Sequence, residues 1–352
     1  MLADRTATHQ RGARLSAGHD LPTVVAVTAT HVVIGCAADR SYAVPLAVML
    51  RSAAAHLDPA HELAVYAVDG GVAQDARELV ARSLGTRGTL HWVPPRREAF
   101  AGLPLWGRMP IATYDKLAIA RWMPDTVGRV LWLDADLLLL ADPAPLWNTD
   151  LEDAVAGACV DARVPTVGAR FGVGRFAAHG LAASDPYFNA GVMLVDLERW
   201  RVEEIERRAL DYLRAAGSQV YFWDQEALNV ALAGRWRPLS PEWNWSPNTG
   251  ATVAASGAPR ILHFSGNLKP WRYAGRLAVH DAYYRTLDET AWAGWRPPAS
   301  LRASVLARYE SSPLRRLALP LERGALALLR AATFRYASAA DLAVERGAPE
   351  TT

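Results

Sequence analysis

The chain has 352 residues, 51% of them apolar, with 38 Lys and Arg against 36 Asp and Glu for a net charge of +2. That length allows one large α/β domain or two small ones, and the apolar content permits a core that needs neither disulfides nor a structural metal. Charges of both signs are spread along the chain, so no basic tract offers a grip on nucleic acid. The two cysteines, Cys36 and Cys159, sit in separate apolar runs that fit no metal-ligand spacing, and read as reduced thiols of a cytoplasmic protein.

In chain order, residues 1–29 are polar and basic, with Arg5, Arg11 and Arg14, and read as a flexible leader. The first apolar stretch, Leu21 to Ala38, is interrupted by Thr23, Thr28, Thr30 and His31. It makes neither a signal peptide nor a membrane span, so the chain is expected to be soluble, or peripheral on the inner face of the membrane. Strand-like and helical runs then alternate, which predicts an α/β fold with a mostly parallel central sheet flanked by helices. Strands are expected over His31–Ala38, Glu62–Val68, Thr89–Val93, Arg129–Leu133, Ala154–Val160, Phe188–Leu197 and Arg260–Phe264. Helices are expected over Ser41–Leu57, Val72–Leu84, Thr113–Met123, Glu198–Ala216 and Asp224–Leu232. Phe100–Pro110 and Arg163–Tyr187 lack periodicity and read as long functional loops.

Asp39, Asp134, Asp136 and Asp161 all fall at or just past predicted strand carboxyl ends, where open α/β sheets bind ligands. Any one of them alone would be an ordinary turn cap. The sharpest signal is Val130-Leu131-Trp132-Leu133-Asp134-Ala135-Asp136. In an extended segment alternate residues point the same way, so both carboxylates can address one divalent cation. His263-Phe264-Ser265-Gly266-Asn267-Leu268-Lys269-Pro270-Trp271 supplies an imidazole that could complete such a site. In the same stretch Gly266 permits close backbone approach to a diphosphate, and Lys269 supplies a cation for phosphate oxygens.

Taken together, these motifs resemble the family 8 glycosyltransferases of the GT-A fold, over about His31 to Trp271. Ala37-Ala38-Asp39 with Tyr42 is similar to the family's uridine-binding opening, and Phe100–Leu105 to a mobile loop near the active site. Thr113-Tyr114-Asp115-Lys116-Leu117 resembles the helix that approaches the donor, although many members carry Arg where Lys116 stands. Tyr187–Val192 and Trp223-Asp224-Gln225 match the sugar-side motifs, and the His-x-x-Gly-x-x-Lys-Pro-Trp ending is the most specific. Ser41 departs from the Asn of close relatives at a donor contact. The likeness runs nearest to bacterial α-galactosyl- and α-glucosyltransferases of lipopolysaccharide synthesis.

The resemblance implies a retaining hexosyltransferase that takes galactose or glucose from a UDP-sugar to a glycan or glycolipid acceptor. By the same resemblance Asp134, Asp136 and His263 would ligate Mn²⁺, Asp39 with Tyr42 would meet the uridine, and Lys269 with Gly266 the diphosphate. Asp224 and Gln225 would bind the transferred sugar, with Lys116, Asn189 and Ala190 lining its pocket and Asp161 near donor or acceptor. Gln225, being an amide, is a poor nucleophile, so same-face displacement is preferred, with Asp161 and Asp224 as the carboxylates that could otherwise attack. A self-glycosylating primer and a non-catalytic sugar-nucleotide-binding relative stand as alternatives. The catalytic domain is expected over 30–295, followed by a basic, largely helical extension over 296–352. Within that extension Leu301–Tyr336 carries seven Arg against two Glu and could contact an anionic membrane, pack on the parent domain or mediate dimerisation.

Overall fold

The computed structural model describes residues 31–107, 109–247, 257–266, 269–272, 278–298, 324–325 and 327–342. The expected leader and most of the C-terminal extension lie outside the described residues. The first apolar run forms β1 (His31–Asp39), and Asp39 caps the 3-10 turn Arg40–Tyr42 that leads into α1 (Ala43–His56). There follow β2 (Glu62–Gly70), α2 (Gln74–Leu84), β3 (Gly88–Val93), β4 (Pro104–Leu105), the 3-10 segment Ile111–Ala118 and α3 (Ile119–Trp122). Next come β5 (Arg129–Leu133), β6 (Leu137–Leu139), α4 (Ala144–Trp147), β7 (Ala156–Val160), β8 (Phe188–Asp196), α5 (Leu197–Val202), α6 (Ile205–Ala216) and α7 (Trp223–Ala231). The described chain closes with β9 (Trp236–Pro238), β10 (Ile261–His263), α8 (Ala278–Leu287), β11 (Arg335–Tyr336) and α9 (Ala339–Leu342).

Seven strands make the central sheet in the order β3-β2-β1-β5-β8-β7-β9. β1 pairs parallel with β2 and β5, β2 with β3, and β7 with β9, whereas β8 runs antiparallel to both β5 and β7. The mostly parallel sheet is therefore as expected, with one reversed strand. That reversal matters for position. It brings the amino end of β8, with Asn189, Ala190 and Gly191, to the same edge as the carboxyl ends of β1 and β5.

Central strands are buried on both faces, as their unbroken apolar runs require. Val32, Ile34 and Cys36 pack with Leu46, Leu50 and Leu131 on one side, while Val33 packs with Tyr66, Val130 and Trp132 on the other. Both cysteines are free and buried, on β1 and β7, and burial pushes each thiol up to about 12.

Several expectations are corrected. The segment Phe100–Leu105 is not a bare loop, because Phe100, Leu103 and Leu105 are fully buried and β4 pairs antiparallel with β11. Its partner lies far downstream, so no local pattern could announce it. The single helix expected over Glu198–Ala216 is two, broken where Glu204 adopts φ +52. The three-residue strands β6, β9 and β10 are too short for periodicity to reveal, and of these only β10 was anticipated. Of the expected membrane-contact segment, 301–323 lies outside the described residues. The part that is described meets the core at some residues and leaves Leu328, Leu329 and Tyr336 exposed. Thr333 Oγ1 accepts from Gly107 N at 2.7 Å, Arg330 lies 4.3 Å over the Tyr221 ring, and Ala337 is buried. Among the described residues no helix is long and apolar enough to cross a membrane.

The 3-10 segment Ile111–Ala118 is held by a buried bidentate pair, Arg97 Nε to Asp115 Oδ1 at 2.8 Å and Arg97 Nη2 to Asp115 Oδ2 at 2.5 Å. Both side chains are almost wholly removed from water, so losing one partner strands the other's charge. Arg97→Met should lower the unfolding free energy by about 3–5 kcal/mol, measured by urea denaturation. A loss below about 1 kcal/mol would mean the pair is solvated like a surface salt bridge.

Candidate functional site

Past the buried end of β5 the chain leaves the sheet through Asp134 and Asp136. Asp134 N donates to Gly191 O of β8 at 2.9 Å, and Phe264 N, just after β10, donates to Asp136 O at 3.0 Å. β10 pairs antiparallel with β6 so that His263 stands opposite Leu137, which sets the imidazole beside Asp136. One ligand atom from each of Asp134, Asp136 and His263 lies within 4.8 Å of the others. His263 Nε2 is 3.4 Å from Asp136 Oδ1. Gly191 makes room for that ring, because a Cβ there would stand 2.4 Å from His263 Cε1.

Two carboxylates and an imidazole form a hard-to-borderline donor set that suits Mn²⁺ or Mg²⁺ better than a soft, thiolate-seeking ion. Asp134 is 29% exposed, so the cluster opens to solvent on one side. The residues therefore fit a divalent cation. Two lysines complete the local charge. Lys116 Nζ lies 2.9 Å from Asp134 Oδ1 and 3.1 Å from Asp224 Oδ2, and Lys269 Nζ pairs with Asp136 Oδ2. Burial works to strip Lys116 of its proton, but Asp134 and Asp224 outweigh it and raise its pKa. Lys269 behaves alike, with burial opposed and overcome by Asp136. The two aspartates diverge. Burial and the neighbouring Asp136 charge raise Asp134, whereas at Asp136 the opposing pull of Lys269 and His263 overcomes burial and holds the carboxyl below its usual range.

A second cluster adjoins the first. Asp161, just past β7, is buried and accepts on Oδ1 from Arg163 N at 2.8 Å and Val164 N at 3.0 Å. On Oδ2 it accepts from Asn189 Nδ2 at 2.9 Å and Gln225 Nε2 at 3.1 Å. Ala190 N donates to Gln225 Oε1 at 3.2 Å, so the Gln225 amide is held at both ends. Asp224 accepts from Thr113 Oγ1 at 3.0 Å, and Lys116 Nζ also donates to Ala190 O at 3.3 Å. Lys116 thus bridges the two clusters.

The remaining expected residues lie at the edges. Asp39 is half-buried, and its Oδ1 accepts from Ser41 N at 2.8 Å and Ser41 Oγ at 2.7 Å, so Ser41 binds the cap. Tyr42 meets Trp271 edge-on at 5.6 Å, and Lys269 Nζ lies 5.4 Å from the Trp271 ring. Gly266 is exposed at φ +81, a conformation only glycine takes cheaply. Sequence reasoning missed Thr113, Gly191 as a packing requirement, and Asn244. Asn244 Oδ1 sits 2.8 Å from His263 Nδ1, and Asn244 Nδ2 donates to Asn189 Oδ1 at 2.9 Å. The Trp-Asn-Trp triplet at 243–245 was the only trace of it.

Comparison with known proteins bears on this geometry. The profile of the family described as glycosyl transferase family 8 matches residues 33–275. General stress protein A of Bacillus subtilis is 24% identical over 74% of this chain and 94% of its own length. The lipopolysaccharide 1,3-galactosyltransferase of Salmonella typhimurium is 24% identical over 62% of this chain and 66% of its own. Other curated relatives are matched over only about half their length. Among solved structures, the galactosyltransferase LgtC, in complex with donor and acceptor sugar analogs, superimposes with a TM-score of 0.62. It is 27% identical, over 77% of this chain and 98% of that one.

A cation held by Asp134, Asp136 and His263 would bind the folded chain alone. Mn²⁺ at a hundredfold excess over Kd should therefore stabilise the full-length protein by about 2.7 kcal/mol, seen as a raised melting temperature. Asp136→Asn should remove the shift, and Gly191→Ala should weaken binding about tenfold or more by displacing the ring. A shift that survives both substitutions would place the cation elsewhere.

Proposed function

The chain belongs to glycosyltransferase family 8, and from that premise we propose that it transfers a hexose, galactose or glucose, from a UDP-sugar to a carbohydrate or glycolipid acceptor, with retention of configuration and dependence on Mn²⁺. The observation that carries this reading is the convergence of Asp134, Asp136 and His263 at the sheet edge, flanked by Lys116 and Lys269. The likeness to lipopolysaccharide galactosyl- and glucosyltransferases supports a hexose as the sugar and a lipopolysaccharide precursor as the acceptor.

Asp134, Asp136 and His263 would hold the cation, which when bound supplies positive charge to a departing diphosphate. Lys269, on the segment after β10, would take phosphate oxygens alongside exposed Gly266, while Asp39 and Tyr42 at the end of β1 would meet the uridine. Lys116, Asp224, Gln225, Asn189 and Ala190 would line the sugar's pocket.

The bond from the anomeric carbon to the diphosphate oxygen breaks, its electron pair leaving with UDP. The acceptor hydroxyl oxygen forms the new bond on the same face and yields its proton to the departing phosphate oxygen. Two observations support same-face displacement over attack by a protein carboxylate. Asp161 accepts four hydrogen bonds, which matches the lone-pair capacity of a carboxylate, and Asp224 is paired with Lys116 and Thr113. Gln225 is fixed by bonds at both ends, which suits an amide that orients the sugar rather than attacks it.

The test is a donor screen that measures UDP release from UDP-galactose, UDP-glucose and their relatives with Mn²⁺. Release should occur with one of the first two and stop in EDTA. Asp134→Asn should also lose it with the fold intact. Undiminished release in excess chelator would end the metal-dependent reading. Lys269→Ala should weaken UDP binding and slow turnover together, because the ammonium meets phosphate in both ground and transition states. Unchanged affinity and rate would make Lys269 a structural partner of Asp136 alone.

A further inference from the structure

We propose that Asn244 is a positioning residue that fixes the tautomer and orientation of His263 through a directed chain of hydrogen bonds ending on Asp161. The chain is legible because its polarity is set at one end. Asp161 Oδ1 is occupied by two backbone N–H groups, leaving Oδ2 to accept from Asn189 Nδ2 at 2.9 Å. The Asn189 amide cannot be reversed. Its Oδ1 accepts from the Gly191 backbone N–H at 3.0 Å, and a reversal would set NH₂ against N–H and oxygen against carboxylate oxygen.

With Asn189 Oδ1 fixed, the atom of Asn244 that meets it at 2.9 Å is the donor Nδ2. Asn244 Oδ1 then faces His263 Nδ1 at 2.8 Å, and an amide oxygen only accepts. Nδ1 must therefore carry a proton, and Nε2, 3.4 Å from Asp136 Oδ1, is the nitrogen whose lone pair a cation would take. The opposite tautomer would put a ring lone pair against an amide oxygen.

Backbone geometry holds the device in place. Asn244 closes the 3-10 turn Pro241–Asn244, and the next residue clamps it beside β10 through Trp245 N to Ile261 O at 3.0 Å and His263 N to Trp245 O at 2.8 Å. On the other face the ring lies on the bare backbone of Gly191. The imidazole is thus aimed before any cation arrives. The same chain ties the orientation of the cation cluster to the residues proposed to meet sugar. A metal-ligating histidine commonly takes its order from such an outer partner, whose loss costs about 10–100-fold in metal affinity.

This inference rests on the cation-site reading, and the experiment separates the two. The full-length chain, labelled with ¹⁵N-histidine and freed of metal by chelation and dialysis, is examined at pH 8 by long-range ¹⁵N–¹H correlation, with His263 assigned from His263→Gln. The ring should carry a proton on Nδ1, whether Nε2 is bare or shares its own proton with Asp136. Asn244→Leu should give a mixture or the Nε2–H form. Asn189→Leu, which leaves Asn244 itself in place, should do so too by freeing the Asn244 amide. Calorimetric titration with Mn²⁺ should show Asn244→Leu weakened about 10–100-fold, with the melting temperature of the metal-free protein reported alongside. A ring bare at Nδ1 in the unsubstituted protein overturns the proposal whatever the metal does, and so does Mn²⁺ affinity unchanged in a folded Asn244→Leu. An Nδ1–H ring in a protein that binds no Mn²⁺ upholds the relay and removes the cation-site reading instead.

Discussion

Two carboxylates two residues apart, at the end of a strand buried on both faces, govern how the rest of the site is built. Held within 4.8 Å, like charges oppose one another by about 3–4 kcal/mol at an effective dielectric near 20. The fold answers with cations from two distant elements, Lys116 from the 3-10 segment before β5 and Lys269 from the turn after β10, and with the His263 imidazole at the end of β10. None of these can arrive without the topology. β10 reaches Asp136 through its pairing with β6 and its bonds to Trp245, and the 3-10 segment that carries Lys116 to Asp134 and Asp224 is braced by the buried Arg97–Asp115 pair.

Asp161 is the complementary constraint. A carboxylate whose two oxygens accept from four donors has little capacity left for chemistry but great capacity to set direction. Because it only accepts, the amides of Asn189 and Gln225 must turn their nitrogens toward it, and backbone N–H groups of Gly191 and Ala190 confirm both orientations from the other end. Electrostatic order therefore spreads outward from one buried anion into side chains that carry no charge themselves. Such preorganisation costs nothing when the substrate binds, since it was met during folding.

What the sequence disclosed divides along physical lines. Strands β1, β2, β5 and β8 were legible because burial on both faces leaves long apolar runs, and the two aspartates were legible because they interrupt one. His263 and Lys269 could be named as candidates from their motif. The β6–β10 pairing that delivers them could not, since three-residue strands hold too little pattern. Asp39 illustrates the opposite case. It was singled out for a ligand, and it also caps the turn after its strand, as any Asp there can, with Ser41 as its partner. Asn244 escaped notice because its meaning lies wholly in contacts across the fold, to β8 and to the end of β10. The resemblance to a family supplied roles. Only the coordinates supplied the directions of the hydrogen bonds.

The C-terminal extension joins this network by packing. β11 pairs with β4, and the next residue, Trp106, stacks on Trp223 with ring centroids 4.5 Å apart. Trp223 opens α7 at φ +31, a costly conformation for a large side chain, directly before Asp224 and Gln225. The turn is strapped from below by fully buried Glu226, which accepts from Tyr221 N at 2.7 Å, Phe222 N at 3.3 Å and Tyr212 Oη at 2.5 Å. Arg330 covers Tyr221 from the extension itself. Strain at the head of α7 is thus contained between a buried carboxylate and an aromatic stack that the extension helps to hold. A segment whose composition suggested an appendage therefore reaches, in two packing steps, the helix that carries Asp224 and Gln225.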